Sequence, residues 1–261
     1  MPGITVTREL DVGGAAREFA LHVPGTPDPT PDLLVVLHWW GGSMEEAAAS
    51  GGWTAASDAG GFLVAFGSGI DHSWNAGSCC GTASEQGVDD VAYVDALIRA
   101  VDAEHRIGRV VVAGISNGAM MALRFGCESS TEADIAAVSG SLFADCRGAP
   151  PRDVVMINGL LDETVRYDGA PGSLGVAGLS VPDAFATWRA IDDCAEPTRS
   201  AGPDALVHVD TARCADGRQV RLITIDDAAH QWPSSRYGPT EAIIAFTGIG
   251  RSRAGQERRA R

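Results

Sequence analysis

The sequence contains no lysine, since all 20 of its basic residues are arginine. This absence excludes Schiff-base chemistry on a lysine amine, and it excludes a phosphate-binding loop of the G-x-x-x-x-G-K type. Positive charge is scarce overall, because the formal net charge is −14. A charge of this sign repels phosphate backbones and anionic lipid surfaces, so we expect neither nucleic acid nor a membrane as a partner.

Long apolar runs are also missing, and none reaches the roughly 18 residues that a membrane-spanning helix needs. Residues 1–7 lack the basic and apolar regions of a signal peptide, so this chain is expected to carry no export signal, and a cytoplasmic location stays open. The cysteines form no paired C-x-x-C pattern and have no histidine cluster nearby. We therefore expect no metal site, and no cofactor is indicated.

What the sequence does have is enough apolar material for one core. A chain of 261 residues that is 45% hydrophobic can fold as a single unit. We expect one domain over residues 1–250. Residues 251–261 hold five arginines and one glutamate without apolar periodicity, which predicts a disordered, arginine-rich tail.

Strand and helix patterns alternate along the chain. Thr5–Leu10 and Arg17–Val23 are predicted to form an antiparallel hairpin, and Val88–His105 has the apolar spacing of a helix. Continuous apolar runs indicate strands that are covered on both faces. The order predicts an α/β fold with a mostly parallel central sheet, an antiparallel N-terminal edge and helices on both faces. The remaining predicted strands are Leu33–Leu37, Phe62–Phe66, Val110–Ile115, Val154–Ile157 and Val220–Ile225.

One short motif carries most of the functional information. Gly114-x-Ser116-x-Gly118 occurs once, directly after an apolar strand and before a helix-like segment. In that context it indicates a nucleophile elbow, which holds a serine hydroxyl above the sheet on a strained turn. A plain glycine-rich turn between a strand and a helix is the alternative.

A serine nucleophile needs a base and an acid that orients the base. In α/β hydrolases the three residues follow in the order Ser, Asp, His. Asp162 and His230 each follow a predicted strand in the right order, so we predict a catalytic triad of Ser116, Asp162 and His230. Glu163 and Asp168 are the alternatives for the acid.

Ester or amide cleavage also needs two N–H groups that stabilise the oxyanion. The amide of Asn117, directly after the serine, is expected to be one of them. The loop of residues 38–42 follows the strand Leu33–Leu37 and is expected to supply the other. We predict Trp40 for this role, with Trp39 as the alternative.

The cysteines leave more than one arrangement open. Cys79 and Cys80 are adjacent and would form only a strained ring, so if oxidised each is expected to pair with a distant cysteine. Cys194 and Cys214 lie at the two ends of a segment that contains Pro and Gly, and a disulfide between them could stabilise it. Buried free thiols are the alternative.

Six segments in this order and spacing resemble one known family. They are residues 37–42 (LHWWGG), 73–81 (SWNAGSCCG), 87–91 (GVDDV), 114–121 (GISNGAMM), 158–162 (NGLLD) and 230–233 (HQWP). The chain is similar to the polyhydroxybutyrate depolymerase and feruloyl/acetylxylan esterase group, the carbohydrate esterase family 1 branch of the α/β hydrolases. The resemblance implies the same triad, and it implies secreted relatives with disulfides, which favours a secreted protein with oxidised cysteines.

Two positions depart from that family. Relatives usually have Gly where this chain has Trp39, which implies a narrower pocket, and they usually have His where this chain has Asn158. Trp74 and Trp232 lie within family-like motifs, and we predict that they and Trp39 contact substrate, with core packing as the alternative.

These observations predict a serine carboxylic-ester hydrolase that works through an acyl-enzyme. Its expected partners are small or oligomeric esters, either hydroxycinnamoyl or acetyl esters of polysaccharide fragments or short hydroxyalkanoate oligoesters. A serine peptidase on the same scaffold and a catalytically inactive hydrolase that serves as a binding module are the alternatives. The sequence does not indicate an oligomeric state.

Overall fold

One ten-stranded sheet organises the part of the chain that the structure describes. The structure is a computed structural model and describes residues 2–173, 175, 177–231 and 237–251. The predicted tail therefore falls outside the described residues, apart from Arg251. The strands are β1 (Ile4–Val12), β2 (Ala15–Val23), β3 (Leu33–Leu37), β4 (Leu63–Gly67), β5 (Val110–Ile115), β6 (Asp134–Val138), β7 (Val154–Gly159), β8 (Thr198–Ala201), β9 (Val207–Arg213) and β10 (Gln219–Ile225).

The sheet is parallel in its centre and antiparallel at both edges. Its strand order is β1-β2-β4-β3-β5-β6-β7-β10-β9-β8. The strands from β4 to β10 in this order run parallel to one another. The hairpin of β1 and β2 forms the predicted N-terminal edge. The other antiparallel edge contains β9 and β8, which were not among the predicted strands, because β8 is polar and exposed and β9 mixes polar with apolar residues.

Helices cover both faces of the sheet. The residues of β3 show this directly, since Leu33 and Val35 pack in one apolar core while Leu34 and Val36 pack in another. The first core lies under α4, α5 and α6, and the second under α1, α2 and α7. The helices are α1 (Met44–Ala49), α2 (Trp53–Gly60), α3 (Gly81–Glu85), α4 (Asp90–His105), α5 (Asn117–Glu128), α6 (Val181–Ile191) and α7 (Pro239–Thr247).

The continuous apolar runs of the sequence follow from this double cover. All five residues of β3 are buried, and each buried side chain of this size contributes about 1.5–3 kcal/mol. The predicted helix over Val88–His105 begins two residues later, at Asp90. Its start is set by the side chain of Asp89, which accepts a hydrogen bond from the Ala92 N–H at 2.9 Å.

Three disulfides join all the cysteines of the chain. Cys194 pairs with Cys214, one of the arrangements that the sequence left open, and Cys127 pairs with Cys146. The expectation that Cys79 and Cys80 pair with distant cysteines is wrong. The peptide bond between these two residues is cis, and the structure bonds them to each other.

Among the described helices, none combines the length and the apolar character that crossing a membrane would require.

Candidate active site

The predicted elbow lies between β5 and α5, at the carboxyl end of the parallel strands. Ser116 has φ 54° and ψ −122°, a backbone conformation that residues other than glycine rarely adopt. Such strain costs about 1–3 kcal/mol and persists only where the surroundings enforce it. A Cβ at Gly114 would overlap the carbonyl of Gly118, so the turn can close only if residue 114 is glycine.

The structure brings the three predicted triad residues together. His230 Nε2 lies 2.9 Å from Ser116 Oγ, and His230 Nδ1 lies 2.7 Å from Asp162 Oδ2. A carboxylate only accepts, so Nδ1 carries the proton and donates it to Asp162. The Nε2 lone pair is then free to accept the hydrogen bond of the serine hydroxyl. This is the tautomer that a general base for Ser116 requires.

The Asp162 carboxylate is held in place on both sides. Its side chain is only 1% exposed, and its second oxygen, Oδ1, accepts the backbone N–H groups of Thr164 and Val165 at 2.8 Å each. Glu163 and Asp168, the alternatives for the acid, point to solvent instead, and Asp168 pairs with Arg166. Of these three carboxylates, Asp162 is the one that contacts the imidazole.

The loop of residues 38–42 is fixed through His38. The Nε2 of His38 accepts the N–H of Gly69 at 3.0 Å, so Nδ1 carries the proton and donates to the carbonyl of Trp39 at 2.7 Å. Burial lowers the pKa of His38, which favours this neutral form. The Trp39 carbonyl also accepts the N–H of Gly42 at 3.0 Å. Because a trans peptide points its C=O and N–H in opposite directions, the Trp40 N–H faces away from His38.

Asn117 begins α5, so its backbone N–H has no partner within the helix. Its side chain is fully engaged with the backbone of Trp74. The Asn117 Oδ1 accepts the Trp74 N–H at 2.7 Å, and the Asn117 Nδ2 donates to the Trp74 carbonyl at 2.9 Å. These two bonds join the nucleophile turn to the loop of residues 68–81.

The prediction that Trp74 contacts substrate is wrong. Its side chain is fully buried, and its indole packs against His38 and against Tyr93, with ring centroids 4.9 and 5.9 Å away. Position within a family-like motif could not show on which side of the loop the ring lies. Trp232, the other tryptophan singled out in such a motif, lies outside the described residues.

An apolar cavity of about 460 Å³ opens at Ser116. Trp39 and Trp40 both line it, and Trp40 is 46% exposed. Trp53, at the start of α2, lines the cavity as well and was missed, because nothing in the sequence distinguishes it from a core residue. The other lining residues are Val36, Leu37, Ala47, Ser50, Gly114, Ile115, Thr164, His230 and Gln231.

One cluster in the described part of the chain has the spacing of metal ligands. It comprises Asp192, Cys194 and Cys214. The two sulfur atoms are joined in a disulfide, so they are not available as thiolate ligands.

No family model matches the chain. A protein from Nocardia uniformis subsp. tsuyamanensis named "Putative esterase NocK" is 29% identical over 270 residues, which cover 93% of this chain and 78% of that protein. The solved acetyl xylan esterase from Aspergillus awamori is similar with a TM-score of 0.72 at 15% identity, over 94% of this chain and 99% of that chain. Est1E from Butyrivibrio proteoclasticus is similar with a TM-score of 0.57 at 13% identity, over 94% and 98%.

These likenesses to solved structures agree with the architecture of a mostly parallel sheet between helices. The chain has the α/β-hydrolase fold.

Proposed function

We propose that the protein is a serine esterase that cleaves carboxylic esters through an acyl-enzyme. The observation that carries the proposal is the unbroken hydrogen-bond chain from Ser116 through His230 to Asp162. A constellation of this geometry is the recurring device for activating a serine hydroxyl. The name of the relative from Nocardia uniformis supports the ester class over other hydrolase reactions.

In the proposed reaction His230 Nε2 takes the hydroxyl proton as Ser116 Oγ attacks the ester carbonyl. The Asp162 carboxylate stabilises the imidazolium that forms. The imidazolium then gives its proton to the leaving alcohol, which leaves the acyl group on the serine. A water molecule, deprotonated by the same imidazole, attacks the acyl-enzyme and releases the acid and the free serine.

The negative oxygen of each tetrahedral intermediate needs N–H donors. We assign them to the backbone amides of Asn117 and Trp40, because Asn117 opens α5 and Trp40 lines the cavity with its N–H turned away from His38. A single donor of this kind typically contributes about 3 kcal/mol to transition-state stabilisation.

The cavity supports a substrate with a bulky apolar acyl group. Apart from the catalytic histidine, the described residues that line it carry no ionisable side chain, and Val36, Ala47 and Trp53 give it an apolar wall. A polar sugar would lose hydration there without replacement, whereas an aromatic or alkyl acyl group would not. We therefore propose hydroxycinnamoyl esters of polysaccharide fragments, or short hydroxyalkanoate oligoesters, ahead of acetyl esters. We propose on the same ground that the protein belongs to the carbohydrate esterase family 1 branch that its motifs resemble.

The three disulfides support a protein that works in an oxidising compartment. We propose a secreted enzyme on this ground.

Labelling with a fluorophosphonate probe tests the proposed nucleophile. Stoichiometric labelling of the wild type that disappears in Ser116→Ala is expected, and an unlabelled wild type would indicate an inactive hydrolase that serves as a binding module. A panel of methyl ferulate, acetylated xylan, hydroxybutyrate oligomers and a matched p-nitroanilide then tests the class of substrate. Turnover of the esters without the anilide is expected, and preferential anilide cleavage would indicate a peptidase instead.

A further inference from the structure

Trp74 connects the two segments that carry the assigned oxyanion donors. Its indole Nε1–H donates to the carbonyl of His38 at 2.9 Å, at the start of the loop of residues 38–42. Its backbone N–H and carbonyl bind the side chain of Asn117, which follows the nucleophile. Trp74 thus binds the nucleophile turn through its backbone and the loop of residues 38–42 through its ring.

The contacts of His38 continue this connection to the assigned donor. The carbonyl of His38 accepts the indole N–H of Trp74, and the imidazole of His38 donates to the carbonyl of Trp39. The Trp39 carbonyl belongs to the same rigid peptide unit as the Trp40 N–H. A displacement of His38 therefore rotates the peptide unit that carries the donor.

The segment around Trp74 is also held by residues of β2 and α4. The next residue, Asn75, donates its backbone N–H to the buried carboxylate of Asp90 at 2.8 Å, and Asp90 is paired with Arg17 at 2.8 Å. The ring of Tyr93 packs against the indole with centroids 5.9 Å apart, and the Tyr93 hydroxyl accepts the N–H of Ser68 at 3.0 Å. The loop that carries Trp74 is thus fastened to β2 and to α4 as well as to the two segments that it connects.

We infer that Trp74 is a positioning residue for the oxyanion hole, which sets the distance between the Asn117 and Trp40 amides without touching substrate. The inference rests on the proposed function. Donors stabilise a transition state best when they are fixed before the charge develops, because no energy is then spent on reorganising them. Loss of the indole bond should affect the tetrahedral species and leave binding of the uncharged ester nearly unchanged.

Trp74→Phe tests this, because it keeps an aromatic ring against His38 and Tyr93 and removes the indole N–H. The matched control is Trp188→Phe. Trp188 is also fully buried, but its Nε1 has no hydrogen-bond partner among the described residues, and it belongs to α6 and does not line the cavity. We expect Trp74→Phe to lower kcat about tenfold or more with KM nearly unchanged, somewhat less than the loss of a whole donor. The Ki of phenylboronic acid, which forms a tetrahedral adduct with the serine, should rise by a similar factor.

The control should change kcat, KM and the Ki by less than about twofold. If both variants lose activity equally, or if Trp74→Phe raises KM alone, the inference is wrong. Should Trp74→Phe fail to fold, Asn117→Ala carries the same expectation, because it keeps the backbone amide and cuts both bonds to residue 74. A wild type that fluorophosphonate does not label overturns the proposed function, whereas full labelling with an unaffected Trp74→Phe overturns the inference alone.

Discussion

Gly118, in the first turn of α5, lies against the carbonyl oxygen of His38, the residue directly after β3. A Cβ on residue 118 would overlap that oxygen and the carbonyl of Leu37. Gly118→Ala should therefore push the start of α5 away from β3 and separate the two assigned oxyanion amides. We expect a loss of about 1–3 kcal/mol in unfolding free energy together with a fall in kcat larger than the stability loss explains.

Gly126→Ala is the matched control for this substitution. Gly126 lies in the same helix, and an added Cβ would meet the side chains of Ile135 and Trp188, far from the serine. We expect a stability loss of similar size by chemical denaturation and normal kcat in the folded protein. Equal kcat in the two variants would show that the contact between Gly118 and His38 does not shape the site.

Asp162→Asn should leave the fold intact and remove most of the activity. The amide oxygen can still accept the N–H groups of Thr164 and Val165, but its NH₂ group cannot accept the proton of His230 Nδ1. We expect kcat to fall about 10³–10⁴-fold with an unchanged melting temperature. Asp168→Asn, which breaks only an exposed pair with Arg166, serves as the control and should keep wild-type kcat. Asp162→Asn with more than about a tenth of wild-type kcat would assign the acid elsewhere.

Trp39→Ala should widen the cavity towards bulkier acyl groups. The indole of Trp39 lines the cavity and packs on Gly42, so its removal adds volume at the serine. We expect the ratio of kcat/KM for methyl ferulate to that for methyl acetate to rise about tenfold. Leu179→Ala, at an exposed position outside the cavity lining, should leave the ratio unchanged. An unchanged ratio in Trp39→Ala would place the acyl group elsewhere.

The stability of the protein should depend on pH through Asp192. Burial raises the pKa of Asp192 to about 6, because one carboxylate oxygen accepts only the Arg152 N–H and the other has no partner among the described residues. A raised pKa contributes stability at pH values below the ordinary carboxyl pKa, and this contribution is lost as the pH rises through about 6.

Asp192→Asn copies the protonated form at every pH, so the melting temperature of the wild type minus that of the variant should fall between about pH 4 and about pH 7. The pKa of Asp134 is also raised to about 6 by burial, but it titrates in both proteins and cancels from the difference. A difference that stays constant over this range would contradict the assignment.

Removal of the disulfide between Cys194 and Cys214 should cost stability and spare activity. The bond closes a loop of sequence separation 20 around β8 and β9, at the sheet edge away from Ser116. We expect Cys194→Ala/Cys214→Ala to lose about 3 kcal/mol of unfolding free energy with kcat unchanged in the folded protein. Denaturant titration under non-reducing conditions measures the loss, and an equally stable double variant would show that the bond contributes nothing.

The parts of the fold that depend on burial could be predicted from the sequence. The runs that became β3, β5 and β7 are apolar because helices cover the sheet on both sides, and the pattern of the sequence reflects that cover directly. The strand β6 was missed because its five residues, DIAAV, include two alanines and an aspartate and give a weak pattern. β8 is wholly exposed and has no apolar periodicity to detect.

The triad residues could be placed by order and spacing, because each side chain follows a strand that ends at the same edge of the sheet. The supporting contacts could not be predicted in this way. Trp53 lines the cavity and Trp74 supports the turn from within the core, although both are tryptophans beside glycines or small residues in the sequence. Which way a ring faces depends on neighbours that only the folded chain brings near.

The two edge strands of the sheet, β1 and β8, differ in how much open backbone they present to another molecule. Along β8 the backbone presents only four residues, and Arg199 is drawn back onto Asp210 of β9 by two hydrogen bonds of 2.9 and 2.8 Å. So short a strand offers few backbone hydrogen bonds to an incoming strand. Along β1 the open margin is nine residues long, and its first side chain, Ile4, is 70% exposed. If copies of this chain associate by adding strand to strand, β1 of one copy should therefore pair with β1 of another, and association should stop at two copies because no comparable edge is left open.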